Sequence, residues 1–229
     1  MSDRAKPWCA EERRTLARVA ELKAAANSPT PDGPPGKRRQ SVSLVETGRA
    51  AWAEQTAQRL LEPLGRRWQH VQGVVDQARR VARILDADQA EVLTAAAWLH
   101  DVGYAPALAR TGFHPLDGAR WLREQGHERL ACLVAHHSGA GYEAEERGLH
   151  GELAEFPEEH LLVARALTYS DLTVGPDGRR VDPQARLEDV IERYGAAAPA
   201  RAIRRAMPEL LSIVREVEAI LDNISAVYE

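Results

Sequence analysis

Residues 95–104, AAAWLHDVGY, form an apolar run that ends in two ionisable residues, His100 and Asp101. The run has the composition of a buried helix, and it predicts that the two ionisable residues also lie in or near the core. Burying a carboxylate costs several kcal/mol or more unless the group is paired or bound to a metal. We therefore expect Asp101 to meet cationic partners from elsewhere in the fold.

The composition is that of a globular protein of about one domain. The chain has 229 residues, 44% of them hydrophobic, which is enough for a sizeable core. Its net charge of −4 argues against a general nucleic-acid binder. No apolar stretch approaches the roughly 20 residues of a membrane span, and the charged N-terminus lacks the apolar centre of a signal peptide. We expect a cytoplasmic protein with no membrane or nucleic-acid partner. The sequence leaves open whether the protein forms an oligomer.

The positions of the cysteines and lysines exclude several kinds of functional site. Cys9 and Cys132 are far apart, which indicates neither a disulfide framework nor a paired-cysteine metal site. Lysine occurs only as Lys6, Lys23 and Lys37, so every basic side chain from residue 38 onward is Arg or His. This excludes a P-loop lysine, a Schiff base and a lysine general base from that part of the chain. Any phosphate there must be held by Arg, backbone N–H groups or a metal.

The chain divides into two regions. Residues 1–41 contain a short helical pattern followed by NSPTPDGPPGKRRQS, which is typical of a flexible linker. Residues 42–229 show apolar residues at three- and four-residue steps, which predicts an all-α domain. Helices are expected near 46–62, 68–85, 88–100, 115–125, 128–137, 158–173, 183–194 and 199–222. Pro208 falls inside the last of these, where proline is expected to kink a helix.

Helical phase brings several ionisable residues to the core side of their helices. All eight histidines lie between positions 70 and 160. Counted along their helices, the residues that share a face with apolar neighbours are His70, His100, His137 and Asp171. His114 stands just before Pro115, near a predicted helix start. Each one alone is more often an ordinary hydrogen-bonded residue than a ligand, but together they need partners that a metal would supply.

This order of residues, His, His-Asp, His, His and Asp on helices, resembles the HD-domain superfamily of metal-dependent phosphohydrolases. The resemblance covers roughly residues 60–175 and is carried by RWQHVQGV, LHDVGY, FHPLDGARWL, VAHHSG and YSDLTVG. Within this superfamily, the chain most resembles small bacterial members whose relatives cleave diadenosine tetraphosphate or other nucleotides. The resemblance implies an all-α HD-domain helical bundle with a metal site between core helices, and a small phosphorylated molecule as substrate.

The resemblance also implies a ligand set for two divalent ions. His70, His100, Asp101 and Asp171 would hold the first ion, and Asp101 would bridge to a second ion held by His114 and His137. Imidazole and carboxylate ligands suit Fe and Mn, with Zn, Co and Ni as further possibilities. Water activated by these ions would attack a phosphorus atom, which makes Asp101 a catalytic residue as well as a ligand.

Three further residues are candidates for contact with the substrate. Arg67 lies three residues before His70 on the same face and is a candidate phosphate contact with a catalytic role; the alternative is an arginine at a solvated helix start. Tyr104 follows the HD pair where many family members have Lys. His136 stands beside His137, and helical phase favours His137 as the ligand, which leaves His136 to support the site or contact the substrate.

Two loops and two other functions are left open by the sequence. The acidic stretch 143–159 is expected to be a solvated loop, with a lid over the site as the alternative. Residues 175–180, GPDGRR, are typical of a turn, from which Arg179 or Arg180 would reach back over the site. The same six ligands would also suit a mixed-valent di-iron oxygenase of this superfamily. A non-catalytic nucleotide sensor is the remaining alternative, although a complete ligand set argues against it.

Overall fold

The computed structural model describes residues 48–225, and within them the predicted all-α fold is confirmed. The helices are α1 Arg49–Leu61, α2 Arg66–Val81, α3 Ala87–Leu99, α4 His114–Glu124, α5 Glu128–His136, α6 Ala140–Arg147, α7 His150–Leu153, α8 Leu162–Leu172, α9 Pro183–Tyr194 and α10 Ala198–Ser225. In this part of the chain the only β-type pairing is an isolated bridge between Val174 and Arg180. The predicted helix and linker of residues 1–41 lie outside the described residues.

Helix α3 is the centre of the bundle. Every residue from Val92 to Leu99 is buried, and α3 packs against α1, α2, α5 and α8. A helix that is apolar on all sides belongs in a core, because it has no face suited to water. The Asp86 side chain caps the helix by accepting a hydrogen bond from the Gln89 backbone N–H at 2.9 Å. At the C-terminal end of the helix, His100 and Asp101 follow and are buried in the interior.

Helix α10 closes the other side of the bundle against α6, α8 and α9. It runs from Ala198 to Ser225 with Pro208 inside it, so this proline does not end the helix. None of the helices found between residues 48 and 225 combines the length and apolar character that crossing a membrane would require.

The prediction of a solvated loop at residues 143–159 is wrong for most of its length, whereas the alternative of a lid stays a prediction, because Glu143 and Arg147 line the cavity of the centre described below. This stretch contributes to α6 and supplies all of α7. It folds because three of its apolar residues, Ala144, Leu153 and Phe156, are buried in the core. Its acidic side chains form ion pairs with arginines, among them Glu146 with Arg201. The high charge of the stretch therefore marks the outer face of two helices.

A close backbone approach sets the position of α4 relative to α3. A Cβ atom on Gly103 would lie 2.0 Å from the carbonyl oxygen of His114 and 2.7 Å from the backbone nitrogen of Gly118. Only glycine lets the turn after Asp101 pack directly on the first turn of α4. This contact brings Asp101 beside His114.

We predict that Gly103→Ala destabilises the protein by about 1–3 kcal/mol, the usual cost of overpacking, because backbone atoms must move apart. Gly141→Ala in α6 is the control, since a Cβ there meets nothing within 4 Å. Alanine in that helix should be neutral or stabilise by up to about 1 kcal/mol. Urea unfolding measures both variants, and equal stabilities would contradict the proposed close contact.

Candidate metal centre

Six ionisable side chains converge where five helices begin or end. They are His70, His100, Asp101, His114, His137 and Asp171. His114 is half-buried, and the other five are buried. The six form two groups, His70 with His100 and Asp171, and Asp101 with His114 and His137. In each group one nitrogen or oxygen atom of every member lies within 4.8 Å of the others. The structure thus brings together every residue predicted as a ligand.

Asp101 stands between the two groups. Its Oδ2 atom lies 3.4 Å from Nε2 of His100 and 3.8 Å from Nε2 of His70. Its Oδ1 atom lies 3.3 Å from Nε2 of His114. One carboxylate therefore turns a different oxygen toward each group, which is the arrangement that a ligand shared between two ions requires.

Backbone carbonyls fix the orientation of three of the imidazole rings. The Nδ1–H groups of His70, His100 and His137 donate hydrogen bonds to the carbonyl oxygens of Gly175, Ala97 and Val134 at 3.1, 2.8 and 2.6 Å. A carbonyl oxygen accepts only, so Nδ1 carries the proton and Nε2 of a neutral ring presents a lone pair. Metal-bound histidines are commonly held through the other ring nitrogen in this way.

The inward-facing nitrogens lie too close together to remain without a cation. Nε2 of His70 lies 3.4 Å from Nε2 of His100, and the same distance separates Nε2 of His114 from Nε2 of His137. Nε2 of His70 also lies 3.0 Å from Oδ1 of Asp171. Lone pairs and a carboxylate facing one another need a proton or a metal ion between them. Because each group offers nitrogen and carboxylate ligands, a divalent transition metal fits both groups.

Both buried carboxylates are held in their ionised form. Burial by itself raises the pKa of Asp101, but His100 and Arg67 outweigh this effect and hold the pKa well below its usual value. Burial acts in the same direction on Asp171, and there the neighbouring rings of His70 and His100 outweigh it and lower the pKa well below its usual value. Negative charge therefore persists at the centre and is available to cations.

The imidazole of His100 differs in proton affinity from those of His114 and His137. Burial lowers the pKa of His114 well below its usual value, and burial together with His100 lowers the pKa of His137. Burial also lowers the pKa of His100, but Asp101 outweighs it and the net pKa is raised. His114 and His137 are therefore neutral near pH 7, which is the form that binds a metal.

The turn at residues 175–180 packs against α2 and holds the ring of His70. The predicted turn at residues 175–180 is confirmed: the Gly178 N–H donates to the Gly175 carbonyl at 3.0 Å. A Cβ on Gly73 would lie 2.3 Å from the carbonyl oxygen of Gly178, so the turn packs directly on α2. Arg179 and Arg180 do not reach the centre, because Arg179 is exposed and Arg180 lines a different cavity.

The centre opens into a cavity of about 820 Å³, and Arg67 and Tyr104 both line it. Arg67 Nη1 donates to Asp101 Oδ2 at 2.7 Å, and the guanidinium carbon lies 4.0 Å from the centre of the Tyr104 ring. The Tyr104 ring is also stacked on His114, with 4.0 Å between ring centres. The half-buried Arg67 therefore contacts the centre. The alternative, an arginine exposed to solvent at a helix start, is not what the structure shows.

Two residues at the centre carry no clear signal in the sequence. Arg186 of α9 lines the cavity, and its Nη2 lies 3.4 Å from Asp171 Oδ1. The Ser138 hydroxyl donates to Asp171 Oδ2 at 2.5 Å, from a backbone with a φ of 51°. Arg186 sits among other charged residues of an amphipathic helix, so its role depends on the tertiary fold.

The neighbouring histidines face different ways, as predicted, but for a different reason. Helix α5 ends at His136, and His137 follows in an extended conformation with φ of −64° and ψ of 148°. Its ring enters the centre through this change of backbone direction. His136 Nε2 lies 2.7 Å from the Phe156 carbonyl oxygen, and His136 lines a different cavity. The structure does not bring His136 to the site, so its predicted contact with substrate is wrong.

The fold and the centre together define a class of protein, an all-helical domain with a paired histidine–aspartate site that fits divalent metals. The family model of the HD domain matches residues 67–193, more than half of the chain, and the chain belongs to the HD-domain family. This family lies in a superfamily of metal-dependent hydrolases. No curated protein and no solved structure matches the chain significantly.

We predict that metal content separates the six residues by role. Asp101→Ala should lose both ions, because Asp101 faces both groups, and His137→Ala should lose mainly the second. His136→Ala is the matched control and should keep the wild-type content, since its ring holds a backbone carbonyl. Elemental analysis of the purified proteins measures this. Full metal content in Asp101→Ala, or loss in His136→Ala, would contradict the assignment.

Proposed function

We propose that this chain is a two-metal phosphohydrolase that cleaves a phosphate ester or anhydride of a nucleotide. The observation that carries the proposal is the placement of Asp101, whose two carboxylate oxygens face two separate groups of ligands. Membership of the HD-domain family supports the same class of chemistry. The nucleotide is the finer part of the proposal and rests on the resemblance to the small nucleotide-cleaving members.

Each residue of the centre has a defined part in this proposal. His70, His100, Asp101 and Asp171 would hold one ion, and Asp101, His114 and His137 would hold the other. Divalent ions bound there would supply an acidified water and polarise the phosphoryl oxygens. The carbonyls of Gly175, Ala97 and Val134 hold the Nδ1 side of the His70, His100 and His137 rings, which would leave each Nε2 free to bind an ion.

The arginines of the cavity are the proposed phosphate contacts. Arg67 and Arg186 each lie beside a ligand carboxylate, Asp101 and Asp171 respectively, and both open onto the cavity. A guanidinium group can donate two parallel hydrogen bonds to a phosphate and stays charged at all relevant pH values. Arg67 is further held by stacking on Tyr104, which restricts it to the edge of the centre. These contacts would stabilise the charge that develops on the phosphoryl oxygens.

We predict hydrolysis in the absence of oxygen. The Mn-loaded protein should release phosphate or nucleotide anaerobically from at least one substrate among nucleoside mono-, di- and polyphosphates and dinucleoside polyphosphates. A hydrolase needs no change in the oxidation state of its metals, whereas an oxygenase needs iron and oxygen. Asp101→Ala is the inactive control. No release from any of these compounds, with substrate-dependent oxygen uptake by the iron-loaded protein, would favour the oxygenase instead.

The proposal also predicts that Arg67→Ala lowers kcat/KM by about a hundredfold while metal content stays at the wild-type level. Arg67 contacts the substrate phosphate in this proposal and is not a ligand, and removing one charge-stabilising donor commonly has an effect of this size. Arg59→Ala is the matched control, because Arg59 is exposed on α1 outside the cavity. Unchanged kinetics in Arg67→Ala would rule out the phosphate contact.

A further inference from the structure

Two tyrosines stand out on the surface of residues 48–225. Tyr104 and Tyr194 are the exposed large apolar side chains in that range, with 38% and 44% of their surface accessible. Both line the cavity that contains the histidine–aspartate centre. Tyr104 is already stacked on His114 and Arg67. No hydrogen bond or ring contact of the Tyr194 side chain is found among residues 48–225, and its electrostatic neighbour there is Tyr104, across the same cavity.

Tyr194 continues an apolar wall of the cavity. Leu187 and Val190 precede it on the same face of α9, and α10 adds Pro199 and Ile203 to the wall. Side chains at three- and four-residue steps of a helix lie one above the other, which makes this face continuous. Val190, Tyr194 and Ile203 thus present apolar surface to the cavity, beside the Asp189–Arg193 ion pair that also lines it.

Helix α9 connects the apolar wall to the centre. Arg186, in its first turn, lies 3.4 Å from Asp171 Oδ1, whereas Tyr194 is its last residue. Eight residues separate the two, which is about 12 Å along a helix. One helix therefore offers a guanidinium at the metal end of the cavity and a free aromatic ring about two turns away.

We propose that Tyr194 stacks on the nucleobase of the substrate, while the phosphate groups lie at Arg186 and the histidine–aspartate centre. This inference rests on the proposed function and adds to it the subsite and the residue that select a nucleotide. A nucleobase is flat and apolar on its faces, so it covers an aromatic ring and an apolar wall that a sugar phosphate or inorganic phosphate would leave in water. The ribose and phosphates span the distance between the two ends of α9.

Binding of two compounds that differ only in the base tests this proposal. The phosphonate isosteres of adenosine 5′-monophosphate and ribose 5-phosphate, in which a methylene group replaces the 5′ ester oxygen, are titrated into the metal-loaded full-length chain by calorimetry, so that neither is turned over. The wild type should bind the nucleotide roughly tenfold more tightly, the order expected for stacking of one base. Tyr194→Ala should abolish this preference without weakening ribose 5-phosphate, and Tyr194→Phe should retain it.

The outcomes separate this inference from the proposed function, because the titration needs no hydrolysis. Equal affinity for the two compounds in the wild type, no detectable binding of the nucleotide, or an undiminished preference in Tyr194→Ala would each overturn the subsite. Tyr142→Ala is the control for loss of a tyrosine, since Tyr142 lies on α6 and lines a different cavity. It should keep the wild-type preference, and circular dichroism confirms that each variant is folded.

The subsite also makes a kinetic prediction for the metal-loaded protein. Tyr194→Ala should raise KM for ATP about tenfold and leave kcat nearly unchanged, because stacking holds the substrate and the transition state alike. Inorganic tripolyphosphate carries the same phosphate chain without a base, and its KM should not change. An equal rise of KM for both compounds would show that the substitution acts on the centre itself.

Discussion

The structure depends on the electrostatic cost of burying two carboxylates at the middle of a helical bundle. Asp101 and Asp171 are both buried, and apolar side chains surround the helices that carry them. Such groups stay charged only where cations and hydrogen-bond donors meet them. The four histidines supply this environment together with Arg67 and Arg186, and the bundle is arranged so that five helices begin or end near the same point.

Backbone atoms fix the orientation of several side chains of the centre. Three histidine rings are oriented by carbonyl oxygens, two of which belong to the last turn of the helix that precedes the histidine. The third belongs to the turn at residues 175–180, which reaches His70 because Gly73 and Gly178 let two backbones touch. Such anchors are stiff, and stiffness keeps the distances between ligand atoms suited to metal ions.

Much of this could be predicted from the sequence, because helical periodicity reports which face of each helix is buried. Helical phase alone predicted that His70, His100 and Asp171 face the core. The prediction failed where tertiary contacts decide the outcome. The stretch 143–159 folds because Leu153 and Phe156 find a core that local sequence does not reveal. His136 was misplaced because the Phe156 carbonyl holds its ring, and Arg186 was missed because nothing in α9 distinguishes it from its charged neighbours.

The absence of lysine from residue 38 onward has a consequence for how the cavity can be regulated. Its positive charge is carried by guanidinium groups, which stay protonated well above physiological pH. Acetylation and ubiquitination act on lysine ε-amines, and in this chain those occur only at Lys6, Lys23 and Lys37. Enzymes that modify lysine side chains can thus alter the first 37 residues, while the charge around the metal centre stays beyond their reach.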